Sequence, residues 1–132
     1  MNNLKGKIAS FESQGDLSIV KINVDENTLK AIVIENPDTS TYLKKDREVN
    51  VYFKETEVVI AKNPSDQISL ENRINCIVST IEKGKILSNV ELINGENRLN
   101  SVISTESLNA MNIVVNDEVT AMVKMNEIMI VP

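Results

Sequence analysis

Histidine and tryptophan are absent, and one cysteine, Cys76, stands alone among 132 residues. Without histidine there is no Ser-His-Asp or Cys-His catalysis and no imidazole proton shuttle, and most zinc sites are ruled out. A single cysteine cannot close an intrachain disulfide, so nothing suggests a stapled, secreted fold. Two Tyr and two Phe leave little for base stacking or an aromatic cage. Positive charge is also short, with 14 Lys and Arg against 19 Asp and Glu and a net charge of -5. A phosphate-backbone binder needs a positive face, so no nucleic-acid partner is expected. The longest apolar runs, such as Ala31 to Ile34, fall far short of the roughly 20 residues that span a bilayer. No membrane association is expected. Met1 to Lys7 contains no apolar core of a signal peptide, so the expected location is the cytoplasm.

What is present is a duplication. A shift of 70 positions aligns residues 1–62 with 71–132 without a gap, and 13 pairs are identical. Among them are Asn2/Asn72, Leu29/Leu99, Glu48/Glu118, Lys54/Lys124 and Ile60/Ile130. Apolar positions keep register more closely still: Leu4 pairs with Ile74, Ile8 with Val78, Leu43 with Ile113 and Phe53 with Val123. The expected organisation is a first unit at 1–62, a linker at 63–70 opened by the turn formers Asn63-Pro64-Ser65-Asp66, and a second unit at 71–132. Units of this size bury too little surface to be comfortable alone, so self-association is expected.

Each unit reads as five short strands. In the first they fall near Lys5–Phe11, Leu17–Val24, Thr28–Ile34, Glu48–Phe53 and Glu57–Ala61, rich in Val, Ile and Thr and often alternating. Asn94-Gly95 marks a hairpin in the second. Thr105 to Met111 suits a short helix between the third and fourth strands, capped by Thr or Ser, whereas its first-unit counterpart contains Pro37 and is less helical. The predicted fold is all-β: two tandem OB-like five-stranded Greek-key barrels, each with one short helix.

Taken singly, the polar residues have bland readings. Ser104, Thr105 and Ser107 serve as helix caps, and Lys54 and Lys124 as surface lysines or salt-bridge partners. Cys76 reads as a packed small residue, and Glu118 and Glu127 as turn or edge charges. No acid, base and nucleophile combine, so no enzyme is expected.

Together, three segments carry a family resemblance. Leu4-Lys5-Gly6-Lys7-Ile8 resembles the L-K-G-K-V opening of molybdate-binding Mop (TOBE) domains. Ser101 to Ser107 is similar to the family's A-V-I-T-x-E-S, and Asn116 to Lys124 to its G-D-E-V-x-A-x-I-K. The tandem arrangement resembles the di-Mop proteins, small cytoplasmic molybdate or tungstate binders. The resemblance implies strands exchanged between units, a homotrimer and oxyanion sites between units. It implies reversible binding of molybdate or tungstate for storage, buffering or delivery, with no organic cofactor and no protein-bound metal.

The chemistry fits that expectation. A tetrahedral dianion only accepts hydrogen bonds, so its site must supply N–H groups, hydroxyls, amides and one or two cations. By family correspondence Ser69, Ser104, Ser107 and Lys124 contact the oxyanion. Asn72 offers an amide, Thr105 a further hydroxyl, and Lys54 the equivalent of Lys124. Ser69-Leu70-Glu71-Asn72-Arg73-Ile74 stands where the family has S-A-R-N-x-L, so its arginine position holds Glu71, whose carboxylate would repel a dianion, and Arg73 is the nearest replacement cation. In the first unit Ile34-Glu35-Asn36-Pro37 replaces the hydroxyl-bearing segment. That site is either degenerate or lends Lys54 and Asn2 elsewhere. These departures also motivate another reading: an oligomerisation or regulatory TOBE module that has lost oxyanion binding.

Overall fold

A computed structural model describes all residues from Met1 to Pro132. Ten strands and one short α-helix follow the duplicated pattern. The first repeat supplies β1 (Asn2–Gln14), β2 (Leu17–Val24), β3 (Asn27–Val33), β4 (Glu48–Phe53) and β5 (Val59–Ala61). The second supplies β6 (Asn72–Lys83), β7 (Leu87–Asn94), β8 (Asn97–Ser104), α1 (Thr105–Ala110), β9 (Glu118–Val123) and β10 (Met129–Val131). Single 3-10 turns, Glu55–Glu57 and Met125–Glu127, precede the last strand of each repeat.

The fold is all-β and OB-like, and its sheets draw on both repeats. One runs β10-β4-β1-β2-β3 and the other β5-β9-β6-β7-β8. Thus β5 leaves its own repeat and pairs antiparallel with β9, Ile60 opposite Ala121, while β10 crosses back to β4, Ile130 opposite Val51. The exchange is reciprocal. Period-2 alternation explains how each strand seats: β2 buries Ser18, Val20, Ile22 and Val24 and turns Leu17, Lys21 and Asn23 outward. The long first strand of each repeat carries an irregularity at the same place, Ile8/Ser10 and Val78/Thr80, so even the kink is duplicated. One cluster of 26 buried residues from both repeats forms the core.

Two local expectations, the β7–β8 turn and Cys76, are sharpened. The β7–β8 loop is Gly95–Glu96 rather than Asn94–Gly95, because Asn94 pairs with Asn97 as the last rung and Gly95 takes the positive φ of 58°. Gly6 needs its missing side chain, since a Cβ there would lie 2.7 Å from the Asn23 carbonyl oxygen. At the equivalent position Cys76 packs as a small core residue, 4% exposed, its thiol pushed up to about 11 by burial.

The α-helix forms in the second repeat only, which corrects the expectation of one in each. Ser104 caps it, and Leu108 on its inner face is buried. In the first repeat that apolar position is the exposed Asp38, so a helix there would have nothing to bury. Side chains take up the backbone N–H groups instead: Asn36 Oδ1 accepts from Asp38 and Thr39, and Ser40 Oγ from Tyr42 and Leu43.

Candidate functional site

Ser104 and Ser107 stand together at the start of α1, exposed, with Ser104 Oγ donating to Ser107 Oγ at 2.9 Å and accepting from Ser107 N at 3.0 Å. Thr105, between them in sequence, turns inward. Its hydroxyl lies 2.8 Å from Ser88 Oγ and donates to the Gly84 carbonyl at 2.8 Å, fastening the helix start to the β6–β7 loop.

Lys54 and Lys124 each close a strand and open a 3-10 turn. Both are exposed, and neither makes an ion pair or a side-chain hydrogen bond. The salt-bridge reading of these repeated lysines therefore has no partner in the structure. Exchange directs each toward the opposite repeat, because the turn after Lys54 packs on β8 and the turn after Lys124 packs on β3.

Asn2 and Asn72 fix that geometry. The buried Asn72 amide donates to the Lys30 carbonyl at 2.8 Å and accepts from Lys30 N at 2.6 Å. Asn2 repeats the bracket on Asn100 at 2.9 and 2.7 Å. Each amide thus mimics a strand rung at the free edge of the other repeat's third strand, using one N–H and its carbonyl oxygen there.

Arg73 is also committed. Its guanidinium donates to the carbonyls of Ser65, Ile68 and Leu70, and lies 3.9 Å from the Asp66 carboxylate. It ties down the segment between the repeats rather than standing free as a cation. Ser69, in that segment, is exposed. Glu71 forms an ion pair with Lys30, Nζ to Oε2 3.2 Å.

The eight candidate residues therefore divide. Ser69, Ser104, Ser107, Lys54 and Lys124 are exposed, whereas Asn72, Arg73 and Thr105 hold the frame. No hydrogen bond or ion pair joins either lysine to Ser104 or Ser107 within the chain. Sequence reasoning missed Lys30, because its partner Glu71 is 41 positions away and meets it only where β3 packs against the start of β6.

The first repeat differs at the matching segment. Glu35 stands where Thr105 does, and its carboxylate accepts from the buried Tyr42 hydroxyl at 3.0 Å. Burial, reinforced by that carboxylate, pushes the Tyr42 phenol up to about 12. Ile34, in place of Ser104, is 82% exposed. No group of three or more Cys, Asp or Glu is placed to hold a metal ion. No helix is long and apolar enough to cross a membrane.

Duplicated OB-like barrels with reciprocally exchanged closing strands define the class of this protein. Residues 68–130, essentially the second repeat, match the TOBE domain family. No curated protein sequence matches the chain. Among solved structures, the cytoplasmic molybdate-binding protein ModG with molybdate bound overlays 99% of this chain and 96% of its own, with a TM-score of 0.92 at 22% identity. That likeness is one of fold, and it spans both repeats. A molybdate-binding protein from Sporomusa ovata covers 44% of this chain and 87% of its own at 29% identity, with a TM-score of 0.43.

Proposed function

We propose that this protein reversibly binds molybdate or tungstate in the cytoplasm, for storage, buffering or delivery, without covalent chemistry. The observation that carries the reading is the pair of free lysines, Lys54 and Lys124, at matching positions of a fold shared end to end with a molybdate-binding protein. An ammonium group kept without a carboxylate partner in both repeats is available to an anion. The exposed hydroxyls of Ser69, Ser104 and Ser107 add donors to the five-residue set from which we draw the site. On the family resemblance, we place the sites between units of a homotrimer. We take 1–62 and 71–132 as the two units, joined by 63–70.

Isothermal calorimetry with molybdate, tungstate and sulfate tests the reading. Heat is expected with molybdate and tungstate, changing little between about pH 6 and 8 because the chain has no histidine to titrate. No heat and no thermal shift with any of the three at millimolar concentration sinks it. Glu71 and the Ile34–Pro37 segment favour a second reading, a regulatory or oligomerisation module that has lost the anion. That module would form a stable trimer whose melting point ignores oxyanions.

A further inference from the structure

On the basis of that anion-binding reading, we propose that Lys30 is an oxyanion-binding side chain contributed by the first repeat, and that Glu71 is the internal carboxylate an incoming anion displaces from it. The two groups meet at 3.2 Å with side chains 34% and 49% exposed, so the pair is open to water and exchangeable. Its frame is rigid. Asn72, 2% exposed and next to Glu71, holds the Lys30 backbone by both its N–H and its carbonyl.

Strand register brings in a second cation. Asn72 lies opposite Val123, so the next positions outward on the two strands are Glu71 and Lys124. Lys124 has no partner of its own. Lys30 is thus ion-paired to Glu71, and Lys124 stands across from the same residue one position beyond the last rung. A tetrahedral dianion would satisfy both cations once Glu71 swings into solvent, trading one negative charge for two. The pair is not a by-product of the duplication. At the matching corner Asn2 brackets Asn100, asparagine replaces Lys30, and the Met1 ammonium, paired with Glu55, stands where Glu71 does, so only one corner carries a lysine–carboxylate pair.

Tungstate calorimetry at fixed ionic strength, on the full chain and on Glu71→Gln and Lys30→Gln, tests the assignment. Glu71→Gln is expected to bind about fivefold more tightly, and Lys30→Gln about fivefold more weakly. An ion pair serving only to join β3 to β6 predicts a lower melting temperature and equal or weaker affinity in both variants. The opposite signs separate the two roles. Equal or weaker binding by Glu71→Gln, beside a wild type that binds, overturns the assignment and leaves the function standing. Binding by Glu71→Gln where the wild type shows none supports it. No heat from wild type or either variant overturns the assignment and the function together.

Discussion

Residues 34–47 and 104–117 occupy equivalent places in the two repeats and solve the same problem differently. In the second, Leu108 is buried on the inner face of a capped helix and the serine hydroxyls face water. In the first, an Asn36 turn replaces the helix, Tyr42 and Leu43 are buried, and the Glu35 carboxylate is tied to the Tyr42 hydroxyl. Leu108 against Asp38 removes the face a helix would bury, and Ile34 against Ser104 removes its cap. A carboxylate in place of the Thr105 hydroxyl then gives the first segment an anion of its own. Equivalent position therefore does not mean equivalent site.

The largest contrast to break lies in the core. Phe53 is 1% exposed, and its counterpart Val123 is smaller and 3% exposed. Phe53→Ala is expected to cost about 3–5 kcal/mol in denaturant unfolding, and Val123→Ala about 2 kcal/mol. Equal losses would mean that the two barrels share their packing load evenly despite the difference in side-chain volume.

Next comes the anion. Lys124→Ala is expected to weaken molybdate binding by about 1.5–3 kcal/mol by calorimetry. Lys54→Ala provides the comparison, since the hydroxyl segments differ between repeats. Unchanged affinity in the Lys124 variant would remove that side chain from the site.

Tyr42→Phe sharpens the first repeat. Losing the hydrogen bond to Glu35 is expected to cost about 1 kcal/mol near neutral pH. The folded-state value near 12 lies above the ordinary 10.0, so folding favours the protonated phenol. Its stabilisation is fully present below pH 10 and is lost as pH rises from 10 toward 12. Melting curves of wild type and Tyr42→Phe should therefore converge across that window. Parallel curves would show that the phenol is not the titrating group.

The smallest effect concerns the cap. Ser104→Ala should lower stability by about 0.5–1 kcal/mol, while Ile34→Ala at the matching exposed position should change it by less than about 0.5 kcal/mol. If both changed melting equally, the helix cap would not be what distinguishes the segments.

Much of the fold was legible because strand alternation and register are local properties. The 70-residue shift, the limits of β2 and β4, and the helix after Ser104 could all be read from neighbouring residues. The direction of β5 and β10 could not be derived from alternation. Val59–Ala61 and Met129–Val131 show the same short apolar pattern whichever barrel they close, and only the family resemblance pointed to exchange. The site was legible by residue type but not by use. Asn72, Arg73 and Thr105 are good donors on paper, yet Asn72 and Thr105 bond a backbone far along the chain and Arg73 bonds the linker just before it. Glu71 posed a repulsion problem in the sequence, and its partner Lys30 became apparent only once the chain was folded.

The crossing of β5 and β10 has a consequence for any half of this molecule. A fragment ending before β10 leaves the outer edge of β4 unpaired, and one beginning after β5 does the same to β9. Such an edge is a template for another strand. A half-length chain could close its barrel by trading its last strand with a second copy of itself, the same trade the full chain makes internally. The covalent join replaces an encounter between two molecules with a loop closure inside one, so pairing no longer depends on concentration.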